Sequence, residues 1–191
     1  MSPTPSARMF LRAQTAADHD RVDRAFGAFD LSNRDGYRAF LLAQADALLP
    51  VEQAIDAADP AGLLPDWPER RRAALLVADL AELGGGAPDP ARIHDEWGPL
   101  MSDAAALLGA VYVLEGSRLG GSVLARGIAA ALPTRFIACP PAPQRWRSLI
   151  QILDTQIVTE DQRATALAAA RSVFDRFRQS ASRHGRIAVV E

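Results

Sequence analysis

The sequence predicts a single all-α domain. Three observations carry that reading. Apolar residues recur at spacings of three and four along most of the chain, and polar cap residues or prolines stand where helices would begin. The period-two alternation of strands is absent, apart from the last few residues. Short alanine-rich stretches supply further good helix material. With 191 residues, 49% of them hydrophobic, the chain is long enough to bury a substantial core. Residues 1–6, small and proline-rich, are expected to be a loose N-terminus. Residues 7–183 then form one bundle of about six to eight helices, and residues 184–191 a tail.

The elements follow in order. Leu11, Thr15, His19, Val22 and Phe26 fall on one face of a first helix starting at Ala7. Ser32 or Asn33 caps a second helix running through Phe40, Leu41, Leu48 and Ile55 to about Ala58. Pro50 inside it is expected either to kink that helix or to split it. Trp67-Pro68 opens a third helix ending at the Gly84-Gly85-Gly86 run. A loop rich in Pro and Asp reaches about Met101, and Ser102 or Asp103 caps a long apolar helix extending toward Leu132. Pro133 to Pro143 is a connector, and Gln144 to Leu153 form a short helix. Thr159-x-x-Gln162 is a capping box opening the last helix, which carries Leu167, Arg171, Phe174 and Phe177.

Charge narrows the classes of partner. Charged residues make up 23% of the chain and the net charge is −2, which argues against nucleic acid. All 21 basic residues are arginines, so any anion site must use guanidinium forks, which match carboxylates in bidentate fashion. Cys139 is the single cysteine, which excludes an intrachain disulfide and any multi-cysteine metal site, and fits a reducing compartment. Met1 to Phe10 lacks the apolar stretch of a signal peptide, and the longest apolar run, Ala104 to Leu114, is far below the roughly 18–20 residues that cross a bilayer. A cytoplasmic protein without membrane association is expected.

Two features point to chemistry. His19 shares the apolar face of the first helix, so its ring is expected to point inward, either as a hydrogen-bonded core histidine or as a metal ligand. No His-x-x-x-His, Glu-x-x-His or Cys-x-x-Cys pattern accompanies it. One internal histidine is nevertheless enough for haem, whose porphyrin brings four nitrogens of its own. The second feature is Tyr112 to Ser122, where Gly116, Gly120 and Gly121 interrupt a strong helix at about 1 kcal/mol each. Gly116 and Gly120 lie one turn apart on one face, which suits either close helix packing or a flat ligand against the backbone. The Gly120-Gly121 doublet is expected to bend the helix. Arg12, two turns before His19, and Arg147 are candidate anion partners or simply solvated charges.

These residues also resemble a known family. Leu11-Arg12-x-x-Thr15-x-x-x-His19-x-x-x-Asp23 resembles the proximal-helix signature of haem oxygenases, and Tyr112 to Gly121 the distal-helix signature of their bacterial branch. Trp146-Arg147-Ser148-Leu149-Ile150-x-Ile152-Leu153-Asp154 resembles the following helix, and Phe174 matches an aromatic lining the haem pocket. The resemblance implies haem held between the first helix and a glycine-kinked distal helix. His19 would be the iron ligand, and Gly116, Ser117 and Gly120 the distal catalytic wall, with Gly121 easing the bend. Arg12, Tyr112, Arg147 and Phe174 would contact the haem, the two arginines at its propionates. Animal-type relatives carry a carboxylate where this chain has Ser117, so the proton route must use water, Ser117 or backbone groups. The implied reaction is cleavage of haem to biliverdin, carbon monoxide and ferrous iron, with haem as substrate and cofactor. It uses O2 and electrons from an external reductase or ferredoxin, because no flavin, nicotinamide or iron–sulfur motif is present. Arg12 in the anchor position favours attack at the α carbon. A bilin-binding photoreceptor would be one acceptor of the product. The alternative is a haem-binding or haem-sensing relative without turnover.

Overall fold

The computed structural model describes residues 5–86, 97–140 and 142–187. Among these residues the chain is helical and holds no strand. The helices are α1 (Ala7–Phe26), α2 (Arg34–Ala57), α3 (Trp67–Arg70), α4 (Ala73–Glu82), α5 (Gly98–Met101), α6 (Ala104–Leu124), α7 (Pro143–Gln156) and α8 (Glu160–Ile187). The predicted caps are present. Asn33 Oδ1 accepts from Gly36 N at 2.8 Å. Asp103, rather than Ser102, accepts from Ala105 N and Ala106 N. Thr159 and Gln162 cap each other's backbone N–H reciprocally.

Helix α8 is the platform of the bundle, with α1, α2 and α6 all packed on it. Its buried face is built from Ala166, Ala169, Ala170, Val173 and Ala181, small enough to let three helices approach. The approach is tightest at Gly109 of α6, where an added Cβ would collide with the Ala166 carbonyl. Helix α7 rests on both α1 and α6, which do not form a principal packing pair with each other. Phe26, Phe29, Phe40, Phe177 and Tyr37 fill the core between α1, α2 and α8, with Phe26 and Phe40 edge to face at 5.5 Å.

Several boundaries differ from expectation, each for a local reason. Pro50 neither splits α2 nor ends it. Proline offers no N–H to the Asp46 carbonyl four residues back, and Arg176 of α8 supplies the missing donors, Nε at 3.1 Å and Nη2 at 2.9 Å. The third helix is two helices. Arg71 is extended (ψ 141°), and the buried Glu52 carboxylate of α2 accepts from Arg72 N and Ala73 N, both at 2.9 Å, so α4 is capped from another helix. Helix α6 stops at Leu124, tightens into a 3₁₀ turn at Ala125–Gly127 and does not reach Leu132. Helix α7 is longer than expected, and α8 continues through Ile187, past the expected start of the tail. The connector after α6 is pinned, with Tyr37 donating to the Pro133 carbonyl at 2.7 Å. The fully buried Asp79 also accepts from Phe136 N at 2.9 Å.

Candidate active site

Helix α1 places Leu11 and Thr15 in the core and turns His19 outward. The His19 side chain is 58% exposed, which corrects the expectation of an inward-pointing ring and removes the core-histidine reading. Periodicity put His19 on the right face, but at its level that face meets little of the bundle. Nδ1 lies 3.0 Å from Asp23 Oδ2, one turn further along α1. That contact leaves Nε2 presented to the outside, without a hydrogen-bond partner among the described residues. Phe174 of α8 stands edge-on to the imidazole, ring centres 6.1 Å apart.

Helix α6 contains two glycines with opposite surroundings. Gly109 is pressed against α8. Gly116 would have nothing within 4 Å of an added Cβ, so helix packing does not explain its presence. Its bare backbone faces open space. Ser117 beside it is exposed, yet its hydroxyl is fixed: it donates to the Leu114 carbonyl at 2.7 Å and accepts from Arg72 Nη2 at 2.6 Å. Gly120 and Gly121 lie within α6, but their surroundings, and with them the predicted bend, lie outside the described residues.

Tyr112 ties the site together. It is half-buried, and Thr15, Arg8 and Arg12 of α1 lie close enough to act on its hydroxyl. Burial nevertheless keeps its pKa above the ordinary 10.0. Its ring lies over Trp146 of α7, centres 6.0 Å apart. Residues of α1, α6 and α7 thus meet here. Arg12 and Arg147 are both exposed and neither has an ion-pair partner among the described residues, so both are available to an external anion. Arg8, one turn before Arg12, joins this set although the sequence reading passed over it.

The sequence reading also missed a buried charge network behind α6. Arg70 is fully buried, holds Asp66 through two bonds of 2.8 Å and lies 3.3 Å from Glu115 Oε2. Arg118 Nε donates to Glu115 at 2.9 Å, and its Nη2 donates to the Arg70 carbonyl. Arg72, 5% exposed, donates through Nη2 to the Leu114 carbonyl as well as to Ser117. Its guanidinium lies 5.0 Å from the Phe136 ring centre. One signal was available: Glu115 and Arg118, three apart in an otherwise apolar helix, need partners inside the fold.

The residues fit a haem better than a metal bound by protein alone. Among the described residues no group of three His, Cys, Asp or Glu side chains could hold an ion, whereas haem asks only for one accessible imidazole, a bare wall and cations for its carboxylates.

The Heme oxygenase family model matches residues 6–183, so the chain belongs to the haem oxygenase family. A haem oxygenase of Xanthomonas campestris pv. campestris is 36% identical over 118 residues, covering 58% of this chain and 67% of the relative. Haem oxygenase PigA of Pseudomonas aeruginosa is 29% identical over 185 residues, covering 90% and 92%. Among solved structures, the haem oxygenase of Neisseria meningitidis, determined in its NO- and CO-bound forms, matches with a TM-score of 0.79 and 22% identity, covering 96% of this chain and 94% of that one. Haem oxygenase of Leptospira interrogans matches with a TM-score of 0.73 and 17% identity, over 94% and 100%. Both likenesses show the fold. The chain is accordingly a haem-degrading oxidoreductase, with haem as substrate and prosthetic group and with O2 and a reductase as further partners. Among the described residues no helix is long and apolar enough to cross a membrane.

Proposed function

We propose that this chain degrades haem to biliverdin in the space between α1 and α6, with His19 as the iron ligand and Gly116 at the opposite wall. One observation carries the assignment: on a shared platform, one helix presents an accessible imidazole and the other a helical glycine facing open space. Asp23 holds Nδ1, which fixes the tautomer that offers Nε2 to iron. Arg8, Arg12 and Arg147 provide forks for the two propionates, and Tyr112 closes that edge. Phe174 would support the imidazole edge-on.

Bound haem supplies the redox chemistry that turns dioxygen on the macrocycle, while the chain supplies orientation and proton control. The bare backbone at Gly116 would let a flat macrocycle approach the helix closely. Ser117 presents a hydroxyl anchored by Arg72 and the Leu114 carbonyl, a fixed point from which water can pass a proton to the distal side. The reading extends to the cytoplasm as the place of work and to a bilin-binding photoreceptor as an acceptor of the product.

The test is a visible spectrum of the protein with haemin, followed under air with ascorbate. Loss of the Soret band with growth of a broad red bilin absorption is expected. Turnover and Soret spectrum unchanged in His19→Ala would overturn the ligand assignment. A Soret band that persists in the parent protein would overturn the distal assignments.

A further inference from the structure

Arg70 is the largest fully buried side chain among the described residues, and its guanidinium is divided among three parts of the chain. Nε and Nη2 hold Asp66, the residue before α3, at 2.8 Å each. Nη2 also donates to the Arg145 carbonyl of α7 at 2.9 Å. Nη1, which makes no hydrogen bond, lies 3.3 Å from Glu115 Oε2 of α6. Both links are doubled through the backbone of α3. Arg118 of α6 donates to the Arg70 carbonyl, and Arg145 Nη1 donates to the Glu69 carbonyl at 2.8 Å. Arg145 stands two residues before Arg147, and Glu115 one residue before Gly116. One plane of N–H groups, fixed by Asp66 and closed off from solvent, thus joins the helix with the bare wall to the helix that carries Arg147.

Stability alone does not account for this arrangement. Buried ion pairs can often be replaced by apolar side chains at no cost, and the better-attested use of such groups is to specify one arrangement of what surrounds them. A planar guanidinium is strict in this respect, because its N–H groups cannot turn independently. The step that follows rests on the reading above, in which haem lies against α6 with a propionate toward Arg147 of α7. On that reading the offset between the two helices decides how the macrocycle is turned in its plane. We propose that Arg70 is a positioning residue for the reaction: by holding α6 and α7 in one register it fixes a single in-plane seating of haem, and hence a single bilin isomer. It touches neither haem nor the reacting atoms, and acts through Glu115 and Arg145.

The test compares Arg70→Met with Arg176→Met, a destabilised control whose lost bonds join only α8 to α2. Seating is read without turnover, from the haem-methyl proton resonances of the ferric cyanide complex. Register is read without haem, from amide hydrogen exchange of the haem-free protein. Arg70→Met is expected to bind haemin and to show a second set of methyl resonances, about a tenth or more of the total. A second bilin isomer should appear in the same proportion after turnover. Without haem, its amides at 113–118 and 146–150 should exchange about tenfold faster or more. Arg176→Met should keep the parent resonances, the parent isomer and the parent exchange in those segments. A parent-like methyl pattern with one isomer in Arg70→Met overturns the proposal, and so does unchanged exchange in either helix. The same changes in Arg176→Met also overturn it, because lost stability would then be their cause. If Arg70→Met does not fold, Arg70→Lys takes its place, since it keeps the charge and loses the fork; a parent-like methyl pattern in it overturns the proposal. A parent protein that gives no Soret band with haemin overturns the underlying haem reading instead, an outcome distinct from all of these.

Discussion

Gly109 and Gly116 are the same residue, two turns apart in one helix, and they do opposite things. Gly109 exists because the Ala166 backbone leaves no room for a Cβ, and Gly116 although there is room for one. Gly109→Ala should therefore destabilise the protein by about 2 kcal/mol or more, read as a lower thermal midpoint. Gly116→Leu should leave folding intact, or gain up to about 1 kcal/mol from helix propensity, while haemin titration shows binding weakened or lost. The sequence reading singled out Gly116 and passed over Gly109, because which glycine is pressed and which is open depends on what stands opposite. His19 carries the same lesson. Its face was readable from the spacing of Leu11 and Thr15, but its exposure was not. His19→Ala should consequently cost little stability, within about 0.5 kcal/mol, and abolish the five-coordinate haem spectrum.

Where an element ends depends on how its backbone groups are satisfied. Caps supplied within a few residues, as at Asn33, Asp103 and Thr159, were legible. Those supplied across the fold were not: Glu52 starts α4 from α2, and Arg176 of α8 lets α2 run through Pro50. The second case gives a coupled prediction. Arg176→Met should cost about 2 kcal/mol by leaving the Asp46 carbonyl without its donors. In a Pro50→Ala background, which restores the helical N–H, the cost should shrink by about 1 kcal/mol, measured by urea unfolding of the four proteins. Asp46 gives a pH dependence. Its carboxylate is held well below the ordinary 3.8, first by the His184 imidazole 3.7 Å away and then by Arg183 and Arg176. A carboxyl depressed on folding contributes stability that is present above 3.8 and lost as pH falls below it through the depressed value. Stability of the parent protein should fall on acidification across that range, and Asp46→Asn should be less stable at neutral pH with a shallower acid decline.

At the scale of the molecule, helical periodicity and caps made the all-α class legible, and the order of motifs the family. The arrangement was less so: periodicity says that α1, α2 and α6 each have a face to bury, not that α8 receives all three. The charge network behind α6 was hidden for the same reason, since Arg70, Arg72, Glu115 and Arg118 meet only after α3 and α4 part. Because the shared platform follows α1, α2 and α6 along the chain, the order of synthesis acquires a meaning. On the ribosome α1, α2 and α6 emerge first, and none of their apolar faces finds its main partner until the final residues of α8 leave the exit tunnel. Closure then waits on contacts between opposite ends of the chain, the slow kind. A stalled nascent chain lacking α8 should be protease-sensitive and take up no haem, and extension of the chain past α8 should bring protection and haem uptake together.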